Sequence, residues 1–173
     1  MKIVIASDIH GSLYYTQKLD EYINKVNPDQ IILLGDFFAS YDYDLTVIDE
    51  VARLLNNHAN KTIAVKGNCD GEFDINKLLF GVIPTYEIIN IDGIDFYITH
   101  GHLNSKYSYL FDNHYLISGH THIYNLEGMN LNPGSVGLPR MHKEHTCLFY
   151  ENNCFNLINL EDFSTIESKK INK

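Results

Sequence analysis

The amino-acid sequence predicts an α/β fold, with parallel strands and helices in its first part and antiparallel strands in its second. Apolar runs typical of buried strands alternate with amphipathic stretches over the first third of the chain, a pattern that implies parallel pairing and right-handed crossovers. Later in the chain, short strands are separated by turn residues, as in hairpins. The two parts could form one mixed sheet or two sheets packed face to face.

The first part contains three predicted strands, 2–7, 30–34 and 62–66. Two predicted helices lie between them, each preceded by a residue that favours the N-terminal cap, Ser12 in the first case and Asp44 in the second. Apolar residues recur at helical spacing in both. They are Tyr15, Leu19, Tyr22, Ile23 and Val26 in the first helix, and Val47, Ile48, Val51, Leu54 and Leu55 in the second.

The second part begins with a short apolar helix, expected near 75–80. Segments 85–91 and 94–99 then flank Asp92 and Gly93, a pair that is a strong signal for a two-residue hairpin turn. The remaining predicted segments are a loop or short helix at 103–113, a strand at 115–118, short strands from 123 onward, a closing hairpin of 145–151 and 154–160, and a polar tail at 167–173 that is expected to be frayed.

Composition excludes several classes of protein. The 173 residues suit one domain, 1–173, with a substantial core. A formal charge of -9 argues against a broad grip on nucleic acid, which needs basic surface. Cys69, Cys147 and Cys154 show neither disulfide-framework nor zinc-ribbon spacing, so we expect free thiols in a reducing cytoplasm. No apolar run resembles a signal peptide or a membrane span.

Candidate chemistry lies where five predicted strands end. Each exit brings Asp, His or Asn side chains beside a Gly that allows close backbone approach, and ligands of open α/β sheets bind at such carboxyl ends. The motifs are Asp8 with His10 and Gly11, Gly35-Asp36, Gly67-Asn68-Cys69-Asp70, His100-Gly101-His102, and Gly119-His120-Thr121-His122.

Each motif alone is weak, because a turn with a surface histidine gives the same pattern. Together, however, they bring seven potential metal ligands to one sheet edge. Oxygen and imidazole donors without thiolate suit Mn, Fe, Zn, Ni or Co. Seven ligands are too many for one tetrahedral ion. They suit two ions that lie about 3.5–4 Å apart and share a carboxylate. Such a pair serves phosphoester hydrolysis.

This ordered set of motifs resembles the calcineurin-like metallophosphoesterase superfamily. Within it, the likeness is greatest to the small YfcE-type phosphodiesterase family, which shares Asn68-Cys69-Asp70 and the later Asn132-Pro133-Gly134-Ser135. The resemblance covers nearly the whole chain. It implies a four-layer sandwich of two mixed β-sheets flanked by helices, a phosphodiesterase activity on small substrates, two divalent ions with Mn the usual one, and a homo-oligomer.

The resemblance also implies a role for each residue. Asp36 would bridge the two ions. One ion would be bound by Asp8, His10 and His122, and the other by Asn68, His100 and His120. A bridging hydroxide would attack phosphorus in line, and the Asn68 amide would stabilise charge on the phosphoryl oxygens. His102 would stabilise the transition state or assist the leaving group, unless it is only structural.

Cys69 departs from many larger relatives, which have a His there that helps to protonate the leaving group. A thiol is a weak hydrogen-bond donor, so Cys69 favours activated or diester substrates over alkyl monoesters. Asp70 is expected to orient Asn68 or His10. Arg140 could contact substrate phosphate or form an ordinary surface salt bridge.

Positions in the structure are also predicted for several residues outside the candidate ligand set. Asn132-Pro133-Gly134-Ser135 is interpreted as a turn that closes the packing under the site. His58 is expected in an exposed loop, and Tyr41 and Tyr43 could line a substrate groove.

Two other functions stay open. One is a non-catalytic scaffold, like the retromer subunit of the same fold, which also has a residue other than His at the position of Cys69. Against this alternative, all seven candidate metal ligands are present in this sequence. A nuclease acting on long nucleic acid is disfavoured by the acidic charge and by the presence of only two arginines, Arg53 and Arg140. A small nucleotide substrate is compatible with both features.

Overall fold

The structure is a computed structural model that describes residues 1–38, 44–111 and 113–171. Its strands are β1 (Ile3–Ala6), β2 (Gln30–Leu33), β3 (Thr62–Val65), β4 (Val82–Ile83), β5 (Tyr86–Ile91), β6 (Ile94–Thr99), β7 (Tyr115–Ser118), β8 (Asn130–Leu131), β9 (Thr146–Glu151), β10 (Cys154–Asn159) and β11 (Thr165–Lys170). Its α-helices are α1 (Leu13–Val26), α2 (Leu45–Asn56), α3 (Glu72–Ile75) and α4 (Asn104–Phe111). A 3₁₀ turn spans Ala59–Lys61.

The strands form two mixed sheets. The larger has 7 strands in the order β11-β10-β9-β1-β2-β3-β4, and the smaller has 4 in the order β5-β6-β7-β8. Strands β1 to β3 are parallel, as predicted, and β4 pairs parallel with β3. The hairpin of β9 and β10 pairs antiparallel with β1, so the last part of the chain completes the first sheet.

Successive side chains of β1 point to opposite faces of the sheet, and this alternation shows how the layers are stacked. Val4 and Ala6 face the core formed with α1 and α2, whereas Ile3 and Ile5 face the core between the two sheets. On the outer side of the smaller sheet, the ring of Tyr97 packs against Phe111 of α4, with centroids 5.3 Å apart. The order of layers is therefore helix, sheet, sheet, helix. This confirms the predicted four-layer α/β sandwich.

Several predictions for the second part were wrong in detail. Strands β6, β7 and β8 are parallel, not antiparallel, because α4 provides the crossover between β6 and β7. The helix expected near 75–80 is instead α3, which ends at Ile75. Leu78 is buried without being helical. The edge strand β4 was missed, since two residues are too short for a periodic signal.

Of the two predicted helix caps, one forms a capping hydrogen bond and the other does not. Asp44 caps α2, accepting a 2.8 Å hydrogen bond from the Thr46 amide. Ser12 occupies the cap position of α1, but its hydroxyl makes no capping bond. Most of the tail is not frayed: residues 165–170 form the edge strand β11, and Ile171 is buried. A polar sequence is tolerated there because an edge strand exposes much of its surface.

No helix in the described parts of the chain is both long enough and apolar enough to cross a membrane.

Candidate metal centre

The loops that follow β1, β2, β3, β6 and β7 meet at one edge of the sandwich. Backbone hydrogen bonds join them in pairs: the Asp8 amide donates to the Gly35 carbonyl at 3.1 Å, and the Gly119 amide donates to the His100 carbonyl at 2.8 Å. The predicted convergence of five strand exits is therefore present. It follows from parallel pairing, which places the carboxyl ends of neighbouring strands side by side.

Four candidate ligands form one tight cluster. Ligand atoms of Asp8, His10, Asp36 and His122 all lie within 4.8 Å of one another. Asp8 Oδ1 lies 3.3 Å from His122 Nε2, and the Nε2 atoms of His10 and His122 are 3.3 Å apart. Two imidazole nitrogens and two carboxylates that converge so closely form a donor set suited to a divalent cation.

A second group of candidate ligands also lies close to Asp36. Asp36 Oδ2 is 3.4 Å from His100 Nε2 and 3.6 Å from His10 Nε2. His100 Nε2 is also 3.1 Å from Asn68 Oδ1, and the ring centroid of His120 is 5.1 Å from that of His100. One oxygen of Asp36 therefore lies within 3.6 Å of a histidine nitrogen from each group.

The hydrogen bonds of two histidines orient their rings for metal binding. His100 Nδ1 lies 2.6 Å from the Leu34 carbonyl oxygen, and His122 Nδ1 lies 2.5 Å from the Leu138 carbonyl oxygen. A carbonyl can only accept, so Nδ1 bears the proton in each ring, and in the neutral form Nε2 keeps its lone pair. Asp8 Oδ1 is buried and has no hydrogen-bond partner among the described residues. These donors fit a divalent metal ion.

Five of the candidate ligands adopt the left-handed backbone region, which non-glycine residues seldom occupy. Their φ angles are 54° at Asp8, 48° at His10, 54° at Asp36, 67° at His120 and 60° at His122. Such conformations cost about 1–3 kcal/mol each and cluster at functional sites. Their concentration here indicates that the fold is constrained to present these side chains.

Two glycines allow the loops to approach each other. A Cβ atom at Gly119 would lie 1.8 Å from Ser7 Oγ and 2.7 Å from Asp8 Oδ2. Gly35 has a φ of +87°, and a Cβ there would lie 2.4 Å from the backbone nitrogen of Gly67. Without these glycines, the loops that bear Asp8, Asp36 and Asn68 would be pushed apart.

Asp36 and His100 influence each other's ionisation. Burial alone would raise the pKa of Asp36, but the hydrogen bond and charge of His100, with the Cys69 amide, hold it well below its usual range. Burial alone would lower the pKa of His100, yet Asp36 and Asp8 raise it above 6.5. By contrast, burial and neighbouring histidines lower the pKa values of His102 and His120.

Asp70 supports Asp36 through the backbone. Its buried carboxylate accepts hydrogen bonds from the amides of Asp36 at 2.9 Å, Phe37 at 2.8 Å and Gly67 at 2.8 Å. The sequence led us to expect that it orients Asn68 or His10. The described hydrogen bonds of its carboxylate instead fix the loop that presents Asp36 and the start of the loop that presents Asn68.

Residues 132–135 join two strand exits. The Asn132 side chain donates to the Gly119 carbonyl at 3.0 Å. The Ser135 hydroxyl donates to the Asp8 carbonyl at 2.7 Å and accepts from the Leu138 amide at 2.8 Å. This agrees with the interpretation of the segment as a turn that closes the packing beneath the site.

An open cleft of about 360 Å³ lies above these groups. It is lined by His10, Asp36, Asn68, Cys69, His120, Thr121, His122 and Arg140. Cys69 is an exposed residue that lines the cleft. Partial desolvation of its thiol and the nearby Asp36 carboxylate raise the pKa of Cys69 to about 11. His102 is not among the described residues that line the cleft, and its ring centroid lies 5.4 Å from that of His100 and 6.1 Å from that of His120.

Two smaller expectations have different outcomes. His58 was wrongly predicted to be exposed: it is 8% exposed, and its Nε2 lies 2.7 Å from Asp20 Oδ1 of α1, a partner too distant in sequence to anticipate. Tyr41 and Tyr43 lie outside the described residues.

A four-layer sandwich with Asp, His and Asn side chains gathered at its strand exits is the architecture of a metal-dependent phosphoester hydrolase. The family model for the calcineurin-like phosphoesterase superfamily domain matches residues 1–153. The chain belongs to this superfamily, which uses divalent metal ions.

Relatives that match most of the chain support this membership. Phosphodiesterase YfcE of Escherichia coli (strain K12) is 32% identical over 182 residues, covering 99% of this chain and 99% of that protein. A solved structure of this phosphoesterase has a TM-score of 0.85 at 31% identity and covers 99% of this chain and 100% of its own. Phosphodiesterase MJ0936 of Methanocaldococcus jannaschii is 36% identical over 151 residues, 78% of this chain and 83% of the relative.

A solved structure of lower sequence identity shares the fold. Vps29 from Chaetomium thermophilum has a TM-score of 0.60 at 15% identity, covering 90% of this chain and 86% of that one. At that identity the likeness shows a shared fold alone.

Proposed function

We propose that this chain is a metal-dependent phosphodiesterase with a dinuclear centre. The single observation behind the proposal is the position of Asp36 Oδ2, which lies 3.6 Å from His10 Nε2 and 3.4 Å from His100 Nε2. A carboxylate oxygen that is close to donors from two sets is suited to bridge two cations. The two relatives named phosphodiesterases, one of them similar over 99% of both chains, support the same reaction.

The proposed ligands divide into two sets that share Asp36. Asp8, His10 and His122 bind the first ion, and Asn68, His100 and His120 bind the second. Mn is our proposal for the activating metal, with Ni, Co, Zn or Fe as alternatives that the same donors accept. Oxygen and nitrogen ligands without a thiolate support this choice.

Bound metal ions would act as Lewis acids and would lower the pKa of a bound water. The chain's own residues then orient the substrate. Asn68 lines the cleft and can bind a metal ion through its side-chain carbonyl oxygen. Its Nδ2, which contacts Cys69 Sγ at 3.1 Å, can then donate a hydrogen bond to a phosphoryl oxygen. His102 is kept neutral by its surroundings. A neutral imidazole can hold a proton near the leaving group.

We further propose that residues 1–173 act as a single domain in the cytoplasm and form a homo-oligomer. The three free cysteines, Cys69, Cys147 and Cys154, support a reducing compartment. The substrate is proposed to be a small phosphodiester rather than long nucleic acid. The charge of -9 supports this, because tracking a polyanion needs extensive basic surface.

Hydrolysis of bis-p-nitrophenyl phosphate by chelator-treated protein reloaded with Mn tests the proposal. We expect turnover with Mn and none without added metal. The same protein should also be assayed with Ni and Co. Absence of turnover with all three metals would refute the phosphodiesterase assignment and favour a non-catalytic scaffold.

Metal affinity is expected to depend on pH through His100. Its raised pKa means that it keeps a proton further into the neutral range, and a metal ion must displace that proton. Affinity should therefore fall as the pH decreases through this raised pKa, and binding should release protons. Titration calorimetry of Mn binding, in buffers with different heats of ionisation, measures the affinity and the number of protons released. Affinity that is constant between about pH 6 and pH 8 would contradict this expectation.

Replacing Cys69 with His is expected to raise hydrolysis of alkyl phosphate monoesters. The raised pKa of the thiol leaves it neutral at pH 7, and a neutral thiol donates a proton poorly. General acid catalysis by an imidazole contributes about a hundredfold or more, so an increase of at least tenfold in kcat is expected. Unchanged monoesterase activity at unchanged metal content would show that Cys69 does not limit the reaction.

A further inference from the structure

We propose that Arg140 forms an anion subsite beside the metal centre and selects phosphodiesters that have a second phosphate on one ester arm. This inference rests on the proposed function and adds a substrate class to it. It is based on the position of Arg140, on its lack of an acidic partner, and on the charge balance of the site.

The position of Arg140 is fixed by the backbone around a candidate ligand. Its amide donates to the His122 carbonyl at 3.1 Å, and its own carbonyl accepts from the His142 amide at 2.7 Å. The ring of His142 stacks on Tyr124, with centroids 4.0 Å apart. Arg140 is therefore held at the rim of the cleft, where its long side chain is exposed to an incoming substrate.

Arg140 forms no ion pair with any described residue, although acidic side chains outnumber basic ones by 22 to 13. The other arginine, Arg53, behaves as expected of a surface residue, with its guanidinium paired to Glu50 at 2.5 Å and 3.0 Å. The salt bridge that we considered for Arg140 is thus not found in the described structure. Its guanidinium is available to an external anion.

The phosphate that is cleaved does not require Arg140. The two proposed divalent ions would carry four positive charges, against at most three negative charges from Asp8, Asp36 and the adjacent Asp70. The ions themselves would therefore bind that phosphate. Arg140 is the one permanently cationic side chain among the described residues that line the cleft. A second anion on the substrate would neutralise it, and a planar guanidinium suits a phosphate.

Small ligands that differ by one phosphate test the subsite directly. The Kd values of thymidine 5′-monophosphate and thymidine 3′,5′-bisphosphate are measured by calorimetry on the Mn-loaded protein. We expect the bisphosphate to bind about tenfold to a hundredfold more tightly, the range for a hydrogen bond between charged groups. In Arg140→Gln the ratio of the two Kd values should approach one, and Arg140→Lys should retain part of it.

Arg53→Gln is the matched control, because it removes the other arginine and should keep the wild-type ratio. A ratio near one in the wild type, or a ratio that persists in Arg140→Gln, would overturn the subsite. An equal loss for both ligands would also overturn it, since Arg140 would then contact the metal-bound phosphate. Hydrolysis of bis-p-nitrophenyl phosphate by the wild type, measured in parallel, separates failure of this inference from failure of the proposed function.

Discussion

Replacing Asp36 with Asn is expected to lower kcat for bis-p-nitrophenyl phosphate by at least about a thousandfold, because the loss of a bridging charge removes several kcal/mol of transition-state stabilisation. An amide carries no charge, and its neutral oxygen is a much weaker ligand than a carboxylate oxygen. It can bind one ion, but it does not offset the repulsion between two cations as a bridging carboxylate does. Metal content measured after gel filtration should fall below that of the wild type.

Asp95→Asn is a suitable control for that variant. Asp95 is an exposed aspartate on β6 whose carboxylate accepts a 2.7 Å hydrogen bond from the Asn90 side chain. The same change of Asp to Asn there should leave both metal content and activity unaltered. Retained activity in Asp36→Asn would refute the bridged pair, whatever the metal content.

Replacing Asp70 with Ala is expected to destabilise the protein and to impair catalysis. Three amides, those of Asp36, Phe37 and Gly67, would lose their acceptor. Each buried unsatisfied donor costs about 1–3 kcal/mol, so the free energy of unfolding should fall by about 3 kcal/mol or more. This is a large share of the roughly 5–15 kcal/mol that stabilises a typical domain. Urea denaturation of the chelator-treated protein measures it.

Activity separates a positioning role of Asp70 from a purely structural one. A displacement of about 1 Å in the loop of Asp36 can cost about a hundredfold in rate. We therefore expect kcat to fall by about this factor at a temperature where the variant is folded and saturated with Mn. A variant that is less stable but fully active when folded would show that Asp70 does not position Asp36. The exposed Asp95→Ala is the matched control for stability.

The convergence of the candidate ligands could be predicted from the sequence because these residues lie at strand ends. Apolar runs located the strands, and parallel pairing then brought Asp8, Asp36 and Asn68 to one edge. The histidines at 100, 120 and 122 joined them because β6 and β7 end at the same edge. Division of these residues between two ions came only from the family resemblance, since spacing alone does not define which donors share an ion.

Features that depend on contacts distant in sequence were missed. The pairing of His58 with Asp20 buries a residue whose polar neighbours indicated exposure. The edge strand β11 is stabilised by pairing with β10 and by burial of Ile171, neither of which is visible in a polar tail. Asp70 was expected to contact side chains. The backbone amides that it binds become adjacent only when the loops after β2 and β3 meet.

Metal stoichiometry tests the central claim most directly. Chelator-treated protein is titrated with Mn while bound metal and hydrolysis of bis-p-nitrophenyl phosphate are followed together. A centre bridged by Asp36 predicts two ions per chain, with most of the activity appearing as the second site fills. Full activity at one ion per chain, or two bound ions without hydrolysis, would contradict it.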